Sequence, residues 1–223
     1  NECNKNLSEK KFLYLAESFY KSKNYTKSLD CYFIVEDKYN DTYSQSWIGY
    51  FFERGLGVKQ DYKEAAKWYS KAANQGDAYS QYELGLLYGK GDGVVKDYIK
   101  AYELLLSAAK QGYDRAEYAV CYNLMEGRGV KEDDKEGIRW CKLSAKQGNA
   151  SAQYALGLAY SDGEGVDIDL IESLRWFKLA AEQGRDRAQY ALGKIYKEGK
   201  GVEKDYIEAN KWLKLSADQN NDK

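Results

Sequence analysis

Residues 154–184 read YALGLAYSDGEGVDIDLIESLRWFKLAAEQG, and the same order of residue types returns every 36 positions without insertion or deletion. Gly-x-Gly-Val recurs at Gly55, Gly91, Gly127, Gly163 and Gly199. An Asp stands three residues after each Val: Asp61, Asp97, Asp133, Asp169 and Asp205. Ala73, Ala109, Ala145, Ala181 and Ala217 form one column, and Gln75, Gln111, Gln147, Gln183 and Gln219 another. Repetition at this period marks a solenoid, in which each unit is too small to bury its apolar face alone and buries it on its neighbours.

The unit reads as two helices. Tyr154, Leu156, Gly157, Ala159 and Tyr160 give the first (helix A) one apolar stripe. Two glycines in three residues then break it. The Asp that follows predicts an N-cap for helix B, and Glu64, Glu136, Glu172 and Glu208 three residues on predict a capping box in four of five repeats, with Lys100 in the other. Helix B carries Trp68, Leu104, Trp140, Trp176 and Trp212 at one core position. It stops at Gln-Gly (Gly76, Gly112, Gly148, Gly184), with an Asp or Asn within two residues to cap the next unit. The small residues Gly85, Gly157 and Gly193 of helix A, with Ala65, Ala101 and Ala209 of helix B, predict close approach of the paired helices.

The pattern Tyr-x-Leu-Gly-x-x-Tyr-x-x-Gly-x-Gly-Val-x-x-Asp-x-x-x-Ala-x-x-Trp-(x)4-Ala-x-Gln-Gly resembles the Sel1-like repeat over about residues 45–220. That family is related to the tetratricopeptide repeat and has a longer loop inside the hairpin. The resemblance implies an all-α fold, a right-handed α/α solenoid of antiparallel helix pairs. Residues 45–223 are expected to hold five Sel1-like repeats in one continuous array. Residues 1–44 are expected to form an N-terminal tetratricopeptide-like or capping hairpin, because Phe12, Leu13, Leu15, Ala16 and Phe19 form one apolar stretch and Leu29, Tyr32, Phe33 and Val35 another, joined without a Gly-x-Gly-Val loop. The motif residues build the scaffold, so they carry no function of their own.

Composition excludes several classes of function. The net charge is −1 with 31% charged residues, which gives no electrostatic case for nucleic acid. No apolar run approaches the ~18–20 residues of a membrane span. There is no histidine, which removes Ser-His-Asp and Cys-His catalysis, a histidine base and histidine metal sites. The Gly-x-Gly segments follow helices rather than strands and lack the third glycine of a nucleotide loop. Acidic pairs such as Asp133-Asp134 stand at helix starts, where they suit the macrodipole. The expectation is a non-enzyme with no cofactor and no metal site. Family members with a cysteine pair in nearly every repeat are associated with β-lactam binding or hydrolysis, whereas here Ala73, Ala109 and the rest of that column are not cysteine.

Three readings of function follow. The first is a noncatalytic scaffold or adaptor that grips a protein or peptide in the solenoid concavity. The second is an immunity or inhibitor protein that neutralises a secreted bacterial toxin enzyme. The third is a protein that binds or hydrolyses β-lactams or cell-wall fragments. By analogy with tetratricopeptide arrays, helix A lines the concave face, and its variable columns are the candidate partner-binding residues: Tyr43, Tyr79, Arg115 and Arg187 in one, Tyr50, Leu86, Tyr122 and Lys194 in a second, Glu53, Met125 and Lys197 in a third. Aromatics with Arg and Met are the composition of binding hot spots. Cys121 and Cys141 depart from two facing columns of one repeat, and Cys3 and Cys31 fall together in the first hairpin. Bridges Cys3–Cys31 and Cys121–Cys141 would place the chain in a periplasm or outside the cell, and free cysteines in the cytoplasm. The sequence starts at Asn1, so any export signal is expected to have been removed from it already.

Overall fold

A computed structural model of the protein describes residues 7–221 and contains twelve helices among them. Two helices, α1 (Glu9–Lys21) and α2 (Tyr25–Tyr39), form the first hairpin. The repeats then give the A–B pairs α3 (Thr42–Arg54) and α4 (Tyr62–Asn74), α5 (Ala78–Lys90) and α6 (Tyr98–Ala109), α7 (Asp114–Met125) and α8 (Asp134–Lys146), α9 (Ala150–Asp162) and α10 (Leu170–Glu182), and α11 (Asp186–Glu198) and α12 (Tyr206–Asn221). No strand occurs among the described residues. This is an all-α repeat fold of the solenoid class. It divides into two compact units, Asn1–Gln111 with α1–α6 and Gly112–Lys223 with α7–α12.

Paired helices touch at the glycine column. A Cβ built on Gly157 would lie 2.5 Å from the Phe177 ring, and one on Gly193 would lie 2.5 Å from Leu213. The third repeat inverts the arrangement: Cys121 replaces the helix-A glycine, and the helix-B column of Ala65, Ala101, Ser173 and Ala209 holds Gly137, where a Cβ would meet Met125 at 2.9 Å. The tryptophans lie where the pattern puts them, with Trp68, Trp176 and Trp212 buried and Trp140 half-buried.

The loop between helices A and B uses its two glycines differently. Gly163 caps α9 at φ 79° in the left-handed region, which a side chain rarely enters. Gly165 (φ 68°) lies against the start of the preceding helix B, 2.6 Å from the Asp134 carbonyl to a built Cβ, so this glycine seats one repeat on the last.

The capping box forms only in half. Each Asp accepts from the backbone N–H three residues on, as in Glu64 to Asp61 at 3.1 Å and Glu172 to Asp169 at 3.0 Å. The returning half is absent, because the backbone N–H of the Asp already donates to a helix-A carbonyl nine residues back (Asp61 to Phe52, Asp169 to Tyr160, both 2.9 Å). The glutamates are released to pair along helix B with Lys67, Arg139, Arg175 and Lys211. Between repeats, Asp77 and Asn149 cap the next helix A, while Tyr113 and Arg185 hold that position without a side-chain cap.

An amide relay, buried at its helix-A members, sets the register between repeats within each unit. Gln75, Gln111, Gln183 and Gln219 each donate to a helix-A glutamine (Gln45, Gln81, Gln153, Gln189) at 2.8 Å. Gln81, Gln153 and Gln189 donate onward to the Ala73, Ala145 and Ala181 carbonyls of the preceding helix B at 3.2 Å. In the third repeat the inner member is Glu117, 4% exposed, which accepts from Gln147 at 2.9 Å. Burial pushes this carboxyl above its ordinary value of 4.5, the Gln147 hydrogen bond opposes that, and Asp114 adds to it.

Two expected outcomes follow from this packing. Gly157→Leu drives a side chain into Phe177 and should cost ~1–3 kcal/mol, read from urea denaturation against the parent. Glu117→Gln restores the residue of the other four repeats. Because the folded chain holds the Glu117 proton more tightly than the unfolded one, the wild type's stability from this group is present below pH 4.5 and is lost as pH rises through the raised value. The variant should therefore melt higher than the parent at neutral pH, by about 2–4 °C for ~1 kcal/mol, and show no advantage at acid pH.

Candidate partner-binding site

In the N-terminal unit, Tyr20, Tyr43, Ser46, Trp47, Tyr50, Asp77 and Tyr79 line a cleft of about 380 Å³. Helix α1 supplies Tyr20, α3 supplies Tyr43 to Tyr50, and the α4–α5 junction supplies Asp77 and Tyr79. Tyr32 stacks flat on Trp47 with centroids 5.6 Å apart, and Tyr20, Tyr43 and Tyr50 meet that indole edge-on or at similar tilt. Such pairs stabilise beyond their buried area and hold the walls in place.

Polar groups sit at the floor and the rim. Asp77 Oδ2 accepts from the Ser80 backbone N–H at 2.7 Å and from the Ser46 hydroxyl at 2.8 Å, and the Ser46 and Ser80 hydroxyls lie 2.6 Å apart. The Tyr43 hydroxyl donates to Glu17 at 3.2 Å, and the Tyr20 and Tyr50 hydroxyls share a hydrogen bond at 3.4 Å. The Tyr50 hydrogen bond and burial push the Tyr20 phenol up; burial, then neighbouring phenol and carboxylate groups, push up Tyr32.

The predicted residues distribute unevenly. Tyr43, Tyr50 and Tyr79 line the cleft, and Leu86 is half-buried on α5. The expectation that all of these columns face solvent does not hold for Glu53, whose side chain is 17% exposed and accepts from the buried Tyr69 hydroxyl at 2.8 Å. Nor does it hold for Met125, which packs on the core beside Gly137, filling the space of the missing Cβ. In the C-terminal unit Arg115 is exposed, and Tyr122, 39% exposed, lies under the Arg128 guanidinium at 4.9 Å. Arg187, Lys194 and Lys197 are exposed along one side of α11. Cys121 and Cys141 are joined in a disulfide with Cα atoms 5.3 Å apart. Cys31 is buried on α2, and Cys3 lies outside the described residues. Among the described residues no acidic or cysteine cluster could hold a metal ion, and no helix is long and apolar enough to cross a membrane.

The Sel1 repeat sequence profile matches residues 42–77, 78–113, 114–149, 150–184 and 186–221. The chain belongs to the Sel1 repeat family. A Sel1 repeat protein from Oxalobacter formigenes is 33% identical, with 94% of this chain and 83% of that one covered at a TM-score of 0.88. The protective antigen c5321 of uropathogenic Escherichia coli is 30% identical at a TM-score of 0.90; the match covers 95% of this chain but 46% of the antigen, so this chain spans about half of its length. The immunity protein PA5088 of Pseudomonas aeruginosa matches in fold alone, at 17% identity over 93% of this chain and 82% of that one, with a TM-score of 0.62. A search of curated protein sequences gave no match.

Against the family pattern, the cleft arises where the first Sel1 repeat breaks its own rule. Four repeats carry a tyrosine at the fifth residue of helix A (Tyr82, Tyr118, Tyr154, Tyr190), and three of them follow it with Ala119, Ala155 or Ala191. The first repeat has Ser46-Trp47. The bulk moves over by one position, which opens space above Ser46 and walls it with the indole. Trp47, Ser46, Tyr20 and Asp77 were absent from the sequence-based candidates; the failure of Tyr-x-Leu-Gly at residues 46–49 is the signal that finds Ser46 and Trp47, and no repeat pattern marks Tyr20 or Asp77. Peptide mapping of unreduced protein from its native compartment should recover Cys121 and Cys141 in one linked pair; two free thiols there would remove the bridge.

Proposed function

We propose that the chain is a noncatalytic protein-binding module and that a segment of a partner protein anchors in the aromatic cleft of its N-terminal unit. The observation that carries this reading is the Ser46-Trp47 exchange, which replaces a regular packing position with an open, aromatic-walled cleft. Sel1 repeats generally serve protein–protein interaction, and exposed aromatic pockets are where binding energy concentrates. Arg115, Tyr122, Arg187, Lys194 and Lys197 offer a further, mostly basic, helix-A surface in the C-terminal unit. The Cys121–Cys141 disulfide supports an oxidising compartment, periplasmic or extracellular, and likeness to an antigen 30% identical agrees with this.

The test starts from a partner captured from the native organism and identified by mass spectrometry. Tyr43→Ala and Tyr79→Ala should each weaken its binding by about 1–3 kcal/mol in calorimetry, measured on variants whose helical circular dichroism matches the parent. Tyr122→Ala reports the C-terminal unit by the same readout. Unchanged affinity in the Tyr43 and Tyr79 variants would move the site away from the cleft.

A further inference from the structure

We propose that the occupant of the cleft is an arginine side chain, presented on an extended segment of the partner protein. The inference rests on the protein-binding reading above and gives the anchor its chemistry. An arginine carries an apolar stem and a planar cation, so it needs aromatic walls and an acceptor at the end of its reach. The side chains of Tyr20, Tyr43, Trp47, Tyr50 and Tyr79 supply the walls. Asp77 supplies the acceptor: its Oδ2 holds the Ser46 hydroxyl and the Ser80 N–H, while its Oδ1 accepts no hydrogen bond among the described residues.

Charge points the same way. Glu17 accepts from the Tyr43 hydroxyl, Asp41 caps the helix that carries Tyr43, and Glu53 is paired with the arginine that lies over the Tyr50 ring. Among the described residues Arg54 opposes them, and it is spent on Glu53 at 4.0 Å and on the Tyr50 ring at 5.8 Å. An acidic segment would be repelled, and a wholly apolar one would cover the Asp77 Oδ1 without giving it a hydrogen bond, which is costly. The protein makes the proposed pairing with its own residues elsewhere. Three repeats on, the columns of Ser46 and Asp77 hold Tyr154 and Arg185, and the Arg185 guanidinium lies over the Tyr154 ring at 5.8 Å. In the first repeat both members of that pair are missing, and the space they would fill is open. A guanidinium from outside completes it.

Display of a random peptide library against the full chain tests this. Peptides are kept when their binding is lost with Ser46→Tyr, which fills the cleft with the residue of the other repeats, or with Tyr79→Ala. The expected result is enrichment of arginine at one fixed position. Replacing that arginine by uncharged, isosteric citrulline should weaken binding about tenfold or more, and affinity should fall as salt rises. Asp77→Asn keeps an N-cap of equal quality and should abolish the preference for arginine over citrulline. Cleft-dependent peptides without arginine, or with equal affinity for citrulline, would overturn the arginine anchor and leave the cleft standing as the site. Failure to recover any peptide that depends on the cleft would overturn both readings.

Discussion

Everything in this fold depends on how closely helix A and helix B of one repeat approach. At Gly157 the two lie so near that the Phe177 ring occupies the place of a Cβ, and at Gly193 Leu213 does the same. Close packing of this kind leaves no slack, so bulk added on one side has to be removed from the other. The third repeat shows the rule at work, since Cys121 adds a side chain on helix A and Gly137 removes one on helix B. The disulfide from Cys121 to Cys141 then closes this hairpin covalently, where the other Sel1 repeats hold theirs by close packing and hydrogen bonds.

Stacking one hairpin on the next is a separate problem, solved by polar groups. The glutamine relay runs from the end of one helix B to the start of its own helix A, and on to a carbonyl of the preceding repeat. A buried amide that must find both a donor and an acceptor is intolerant of slippage, so it fixes register where a purely apolar face would slide. The second loop glycine acts beside it, because only a residue without a side chain lets the Gly165 backbone reach Asp134. Glu117 keeps the geometry of the relay and gives up the second donor, which makes the third repeat the place where the relay responds to pH.

Period, helix pairing, caps and the tryptophan core were legible in the sequence because each is enforced by short-range chemistry repeated five times. The half-formed capping box was not, since the competing acceptor for the Asp61 N–H is the Phe52 carbonyl, supplied by the loop's return to helix A rather than by any residue type. The site was legible in part. Column comparison found Tyr43, Tyr50 and Tyr79, but it ranked positions by how much they vary and missed Ser46 and Trp47, where a small and a large residue exchange places. It also included Glu53 and Met125, whose variation answers to the neighbouring Tyr69 hydroxyl and the Gly137 gap. Variation in a repeat column therefore has two causes, compensation within the hairpin and recognition outside it, and only the coordinates separate them.

That distinction explains why the cleft stands out among the departures from the pattern. Cys121 with Gly137 is a matched exchange, closed inside one hairpin, and leaves no space behind. Ser46 with Trp47 is not closed in that way. The tyrosine bulk lost at Ser46 is not replaced there; instead the indole, stacked on Tyr32 and ringed by Tyr20, Tyr43 and Tyr50, becomes a wall beside the gap. Five aromatic residues and the carboxylate of Asp77 lining an open volume cost stability relative to the half-buried tyrosines Tyr82, Tyr118 and Tyr154 of the next three repeats. A scaffold with no partner at this face would gain by carrying tyrosine at residue 46, as its four sister repeats do. The uncompensated exchange is the feature that a binding role accounts for and packing alone does not.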